Sequence, residues 1–203
     1  MRGACLITFG GSRGQYASQV LTASGFTVHH VHPIFASLTE QIRNSSRPAF
    51  SNMITQHHIW DHPCSRGTYT YVFEDDIEFP IVEPRTLHLQ LDYVESLHPA
   101  IVYLGTCAEH WSGISVAKNW MRCAPLCAHA YAVRNTAQDN ATILRKTMKK
   151  STKQQGSSFY RTNWDVIMRG YYIHTQAKKS WPICSRPNIF YQNRTRFPST
   201  ISS

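Results

Sequence analysis

The chain has 203 residues, of which 42% are hydrophobic and 12% aromatic, and this composition predicts a single globular domain with a sizeable core. The formal net charge of +9 makes nucleic acid a candidate partner. However, the densest basic run, 145–153, lies at the end of a predicted helix, where cations interact favourably with the helix dipole. No nucleic-acid-binding motif accompanies this run. We therefore expect no specific nucleic-acid partner, and an anionic nucleotide or acidic acceptor instead.

The chain opens with a β-α-β pattern. Residues 4–9 read as a short buried strand closed by glycines, 15–24 as a helix, and 26–31 as a second strand. This order is typical of an α/β sheet. One helical turn is expected at 39–43, and a helix at 48–62 whose apolar stripe would be Phe50, Met53, Ile54 and Trp60.

The next predicted strand is followed by the most informative residues of the chain, a run of carboxylates. Positions 69–73 are strand-forming and are followed by three consecutive carboxylates, Glu74, Asp75 and Asp76. Alternation along a strand would turn Glu74 and Asp76 to one side, with Cα atoms about 6.5–7 Å apart, and Asp75 to the other. Two oxygen donors at one edge suit Mg²⁺ or Mn²⁺ that keeps some waters and accepts diphosphate oxygens. Five of the 12 acids fall between positions 74 and 83, which favours this interpretation over a solvated acidic turn.

The second half continues to alternate strands and helices. The pattern predicts a helix, two strands, two further helices and two late strands, at 84–97, 100–104, 128–133, 136–149, 163–169, 171–175 and 189–192. The predicted fold class is therefore α/β, with a central, mostly parallel sheet flanked by helices in one domain.

The six cysteines lack the density of small secreted domains, so we expect reduced and mostly buried thiols. Cys123 and Cys127 have three residues between them and no second pair, which disfavours a structural zinc site. No apolar run approaches the ~18 residues of a membrane span, and the N-terminus does not read as a signal peptide. The expected location is cytoplasmic, without a transmembrane segment.

The glycine-rich start allows several interpretations. A strand followed by glycines and a helix N-terminus is how backbone amides bind phosphate. The run resembles the opening of short-chain dehydrogenases, but Phe9 and Tyr16 stand where that family has glycines, and no tyrosine is followed four residues later by lysine. A tight turn without a ligand stays open. The alternative is a nucleotide-binding loop, in which Thr8 and Phe9 meet the base and ribose at the strand end beside Gly10 and Gly11.

Taken in order, the segments resemble the glycosyltransferases of family 25, which include lipopolysaccharide galactosyltransferases and collagen galactosyltransferase domains. The matching segments are 6–10, 53–60, 72–76 (V-F-E-D-D), 103–105 (Y-L-G), 130–133 (A-Y-A-V) and 163–167 (N-W-D-V-I). A Ser-His pair of that family falls here at Thr55 and Gln56. The chain also resembles glycan-building domains of large algal viruses, which would place it in the host cytoplasm.

The resemblance implies a GT-A fold, with a nucleotide-sugar and metal-binding half over 1–105 and an acceptor-binding half over 106–203. It implies metal-dependent, inverting transfer of a sugar from a nucleotide diphosphate sugar, such as a UDP-sugar, to a hydroxyl of a glycan or glycoprotein acceptor. Mn²⁺ or Mg²⁺ would neutralise the leaving diphosphate. Asp76 would be the direct metal ligand and His174 a second one. Glu74 and Asp75 would reach the ribose or a metal-bound water, and Thr55 would contact the donor.

Inverting transfer requires a base that removes the acceptor hydroxyl proton. Asp165 occupies the family position for this base, and Glu109 is the alternate base or a ligand of sugar hydroxyls. Trp111 and Trp164 would stack on a sugar ring or serve as core aromatics. Two other functions stay open: nucleotidyl or phosphoryl transfer with the same acids, although the chain has no Walker-type loop, and a non-catalytic module that binds glycan or nucleic acid.

Overall fold

A computed structural model describes residues 1–35, 47–59, 62, 64, 67–80, 82–106, 111–117, 119–123, 128–135 and 183–185. These residues form eight strands and three helices. In chain order they are β1 Arg2–Ile7, α1 Gly11–Ala23, β2 Phe26–Val31, α2 Arg47–Ile59, β3 Tyr69–Glu74, α3 Pro84–Ser96, β4 Ile101–Thr106, β5 Trp111–Ala117, β6 Trp120–Cys123, β7 Ala128–Arg134 and β8 Ile183–Ser185.

The strands form one mixed sheet in the order β2-β1-β3-β7-β4-β8-β6-β5. The pairs β1–β2, β1–β3 and β4–β8 are parallel, whereas β3–β7, β4–β7, β6–β8 and β5–β6 are antiparallel. The α/β class is confirmed, but the prediction of a mostly parallel sheet is wrong. The reason is that β7 lies between β3 and β4 and is antiparallel to both. Its apolar sequence does not indicate the direction in which the strand pairs.

Both faces of the sheet are covered near β1 and β3. Leu6, Tyr71 and Phe73 belong to a core with Leu21 of α1 and Leu87 of α3. On the other face, Cys5, Ile7 and Val72 pack with Ile59 at the end of α2. Burial on both faces explains why β3 is a continuous apolar run.

Two of the three helices begin earlier than predicted, and one of them buries a different face. Helix α1 begins at Gly11, four residues before the predicted start. The buried residues of α2 are Ser51, Thr55 and Ile59, with Ile54 half-buried, so its inner face is more polar than the predicted stripe. The side chains of Phe50, Met53 and Trp60 lie outside the described residues. Helix α3 begins as predicted, because Pro84 occupies its first turn and the carboxylate of Glu83 accepts hydrogen bonds from two backbone amides.

Strands β5, β6 and β8 were not predicted. The predicted turn at 39–43, the helices at 136–149 and 163–169, and the strands at 171–175 and 189–192 lie outside the described residues. The two predicted halves, 1–105 and 106–203, both contribute strands to the same sheet. Across the described ranges, every helix is too short or too polar to span a bilayer.

The expectation of reduced thiols is wrong for Cys5, Cys64 and Cys184. Cys5 and Cys64 form a disulfide with their Cα atoms 5.6 Å apart, and Cys184 in β8 is also disulfide-bonded. Cys5 and Cys64 are separated by 59 positions and meet only because the segment after α2 returns to the face of β1. Cysteine spacing in the sequence cannot reveal such a pairing.

Candidate active site

The candidate site lies where β1 and β3 end side by side. The two strands are parallel, and Ile7 of β1 is the register partner of Glu74 of β3. The residues that follow each strand, the Thr8 to Gly11 turn and the acids Asp75 and Asp76, therefore lie at one edge of the sheet. Ligands of open α/β sheets bind beyond the carboxyl ends of the strands, which is this edge.

Thr8 joins the two strand ends. Its buried hydroxyl donates a hydrogen bond to Asp75 Oδ2 at 2.8 Å and accepts one from the backbone N–H of Gly10 at 2.9 Å. Its own backbone N–H donates to the carbonyl of Val31 at 3.1 Å. The Thr8 hydroxyl thus orients the Asp75 carboxylate and fixes the turn that leads into α1.

The turn itself depends on two glycines. Gly10 has φ 87° and Gly11 has φ 69°, a region in which a side chain is strained. Among the described residues no side chain caps the first turn of α1. The first backbone N–H groups of that helix, together with its dipole, provide a place for an anionic group beside the acids.

Gly14, one turn into α1, permits the close approach of this helix to Thr8. A Cβ atom built on Gly14 would lie 2.3 Å from Thr8 Oγ1 and 3.2 Å from Thr8 Cβ. The hydroxyl that orients Asp75 could not stay in place against such a methyl group. This glycine is the last residue of G-S-R-G in the sequence. Its role in the packing of α1 against Thr8 becomes clear only because α1 begins at Gly11.

We expect Gly14→Ala to lower the free energy of unfolding by about 2 kcal/mol, because overpacking outweighs the better helix propensity of alanine. Urea unfolding measures the loss. Ser12→Ala, an exposed position in the same turn, is the matched control and should change stability by less than about 0.5 kcal/mol. A Gly14→Ala protein as stable as the native chain would contradict the packing of Thr8 against α1.

Arg13 connects the acids to α1. Its Nε lies 2.9 Å from Asp75 Oδ1 and donates to the Asp75 carbonyl at 3.1 Å, while its terminal nitrogen lies 3.5 Å from Asp76 Oδ2. Strand β3 ends at Glu74, so the predicted alternation stops there, and Arg13 contacts Asp75 and Asp76 together. The Arg13 side chain is 47% exposed, so it can turn into solvent without opening the core.

Glu74 extends toward α2 rather than toward Arg13. The side-chain amide of Asn52 lies 3.5 Å from Glu74 Oε1. Burial is the main cause of the raised pKa of Tyr131, and the negative charge of Glu74 is the second. The phenol therefore stays protonated and donates a hydrogen bond to Gln56 Oε1. Thr55 is buried, and its hydroxyl accepts from the backbone N–H of Ile34 at 2.8 Å and donates to the Ser51 carbonyl at 2.9 Å.

A cavity of about 760 Å³ lies between these groups. Thr8, Arg13, Asn52, Glu74 and Asp75 line it. At its mouth the rings of Phe9 and Phe35 stack with centroids 5.5 Å apart and an interplanar angle of 21°. The two side chains are 66% and 64% exposed, which is unusual for phenylalanine and leaves flat apolar surface beside a charged cavity.

Of the predicted site residues, the structure brings six together as lining of this cavity: Thr8, Phe9, Gly10, Thr55, Glu74 and Asp75. Gly11 follows Gly10 at the start of α1, and Asp76 lies next to Arg13. Asp165, Glu109, His174 and Trp164 lie outside the described residues, as does the side chain of Trp111. Sequence analysis missed Arg13, Gly14, Phe35 and Asn52. Arg13 and Gly14 lie two and three residues after Gly11, and a predicted start of α1 at Gly11 would have placed both in the first turn of the helix beside the acids.

Comparison of the sequence with protein families and with curated proteins gave no match. Comparison with solved structures found the crystal structure of a glycosyltransferase involved in the glycosylation of the major capsid of PBCV-1. It is 8% identical to this chain, with a TM-score of 0.43, over 97% of this chain and 95% of that chain. A likeness this weak gives no basis for assigning a function to this chain.

Proposed function

We propose that the chain is a glycosyltransferase that takes a sugar from a nucleotide diphosphate sugar. One observation carries the proposal: a glycine turn that leads into a helix N-terminus meets Glu74 and Asp75 around one cavity, beside an exposed aromatic pair, with Asp76 next to Arg13 of the same cavity. Such a site offers separate surfaces for a flat base, a diphosphate and a cation. The residues at the sheet edge therefore match the parts of a nucleotide-sugar donor.

The donor would lie across the cavity with its base at the aromatic pair. The exposed rings of Phe9 and Phe35 present apolar faces on which a uracil ring can stack. The backbone N–H groups at the start of α1 suit the diphosphate. Arg13 stands between that helix terminus and the acids, and its guanidinium can pair with phosphate oxygens.

The acids fit a hard divalent cation. Carboxylate oxygens are the ligands preferred by Mg²⁺ and Mn²⁺, and three of them occupy the end of β3 and the turn after it. The guanidinium within 2.9 Å of Asp75 and 3.5 Å of Asp76 indicates that positive charge is favourable there. We propose Asp76 as the direct ligand, supported by Glu74 and Asp75. A bound cation would neutralise charge on the leaving diphosphate.

The transfer itself is proposed to be inverting. An acceptor hydroxyl of a glycan or glycoprotein forms a bond to the anomeric carbon as the bond from that carbon to the diphosphate breaks. The acceptor proton passes to a carboxylate, for which we propose Asp165, with Glu109 as the alternate.

The proposal is tested by calorimetry of uridine diphosphate binding with and without Mn²⁺. We expect binding to weaken sharply without the divalent cation, because the diphosphate would then face the carboxylates of Glu74 and Asp75, whose repulsion the Arg13 guanidinium offsets in part. The matched variant Arg13→Gln keeps the hydrogen-bonding character of the side chain and removes its charge. Equal affinity with and without Mn²⁺, lost in Arg13→Gln, would assign the cationic role to Arg13. No binding in either condition would contradict the donor site.

A further inference from the structure

A second group of reactive side chains lies on the α2 face of the sheet, away from the cavity described above. Cys5 in β1 and Cys64 after α2 are both buried there, among Ile7, Ile59 and Val72. The Nδ1 atom of His62 lies 3.1 Å from Cys64 Sγ. One ligand atom from each of Cys5, His62 and Cys64 lies within 4.8 Å of the other two.

Two more imidazoles approach the same place. His29 is the register partner of Cys5 on the neighbouring strand β2, and its ring lies 6.3 Å from that of His62. The ring of His58, in the last turn of α2, lies 6.2 Å from the ring of His62. Two sulfurs and three imidazoles therefore lie in one region, whereas a disulfide uses the two sulfurs alone.

We propose that Cys5, Cys64 and His62 form a redox-controlled zinc site, with His29 or His58 as the fourth ligand. Two thiolates and two imidazoles are a common donor set for tetrahedral Zn²⁺. With Zn–S bonds of about 2.3 Å and Zn–N bonds of about 2.0–2.1 Å, neighbouring ligand atoms in such a tetrahedral site lie roughly 3.3–3.8 Å apart. His62 Nδ1 lies 3.1 Å from Cys64 Sγ, and all three donors lie within 4.8 Å of one another, so that reduction of the Cys5–Cys64 bond and small side-chain movements would bring them to that spacing.

The disulfide and the zinc complex are alternative states of one site. A dithiol reductant supplies two electrons and two protons, which convert the disulfide into two thiols while the reductant becomes a disulfide. Both thiols release their protons when they bind Zn²⁺. Cys64 and His29 also line a cavity of about 870 Å³ at the amino-terminal edge of β1 and β2, which gives a reductant and a metal ion a route to the site.

The test is titration of the full chain with Co²⁺ after reduction by a phosphine, followed by absorption spectroscopy. We expect a thiolate-to-cobalt charge-transfer band and tetrahedral ligand-field bands that saturate at one equivalent and disappear when Zn²⁺ is added. The oxidised chain should give neither. Cys64→Ser should remove at least half of the charge-transfer intensity, because Cys5 is then the one thiolate left of the proposed pair, whereas Cys184→Ser, which alters the disulfide-bonded cysteine of β8, should retain it.

Histidine variants keep the proposal testable if Cys64→Ser does not fold. His62→Ala leaves both sulfurs in place and should weaken Co²⁺ binding tenfold or more. One of His29→Ala and His58→Ala should also weaken it. His30→Ala is the matched control, because this neighbour of His29 is exposed and bonds Ser18 instead. Reduced native chain without a thiolate-to-cobalt band, or undiminished affinity in His62→Ala, would overturn the zinc site. Neither result bears on Mn²⁺-dependent nucleotide binding at the other edge of the sheet.

Discussion

Replacing Asp76 by alanine is expected to abolish sugar transfer and metal-dependent nucleotide binding together. The cation contributes several kcal/mol of charge stabilisation in such reactions, which corresponds to a loss of at least about 100-fold in turnover. Water cannot replace the lost carboxylate charge. The Asp76 carboxylate lies in the turn after β3, next to Arg13, so its removal leaves the apolar core on either side of that strand unchanged.

Two matched variants separate a ligand effect from a general loss of charge. Glu78→Ala removes the same charge two residues later and should retain metal-dependent binding. Asp75→Ala should affect the metal less but the fold more, because Thr8 and Arg13 both bond its carboxylate. Turnover is measured by release of nucleoside diphosphate over a range of Mn²⁺ concentrations. Native turnover of Asp76→Ala at low Mn²⁺ would mean that the acidic triplet has a structural role only.

Asp165→Asn is expected to lower turnover about 10²–10⁴-fold while donor affinity stays nearly native. The substitution keeps the shape of the side chain and removes its basicity. A general base acts on the acceptor proton in the transition state, so its loss reduces kcat and leaves binding of the nucleotide in place.

Asp139→Asn is the matched control, since Asp139 and Asp165 are the two acids after Glu109. It should transfer sugar at the native rate. A native melting temperature of Asp165→Asn excludes a folding defect. If Asp165→Asn transfers sugar normally, the base is Glu109. If it loses donor affinity instead, Asp165 belongs to the donor site.

The first half of the fold could be predicted because local sequence signals and tertiary structure agree there. The strand that ends at Ile7 is closed by two glycines, β3 is an apolar run, and β2 and β3 both have ordinary strand length. The parallel pairing of β1 and β2 follows from helix α1 between them. The direction of β7 could not be predicted, because it depends on the course of the chain between β6 and β7. The hairpin of β5 and β6 was missed because its residues do not alternate cleanly between apolar and polar.

The candidate site was predictable in its acids and in its turn but not in the contacts that join them. Three consecutive carboxylates after an apolar strand were visible in the sequence, as was the glycine turn after β1. Their meeting follows from the parallel pairing of β1 and β3. That Arg13 joins Asp75 to Asp76 depends on where α1 begins. The disulfide between Cys5 and Cys64 depends on the return of the chain after α2, which no local pattern encodes.

The most direct measurement of the central claim is a hydrolysis screen of nucleotide sugars, because a glycosyltransferase without its acceptor slowly transfers the sugar to water. The screen compares the native chain with Asp76→Ala, with and without Mn²⁺, and identifies the products by NMR. We predict that the native chain with Mn²⁺ converts a UDP-sugar to uridine diphosphate and free sugar, and that omission of Mn²⁺ or of the Asp76 carboxylate prevents this. Release of nucleoside monophosphate and sugar phosphate, or neither binding nor hydrolysis of any nucleotide sugar, would contradict it.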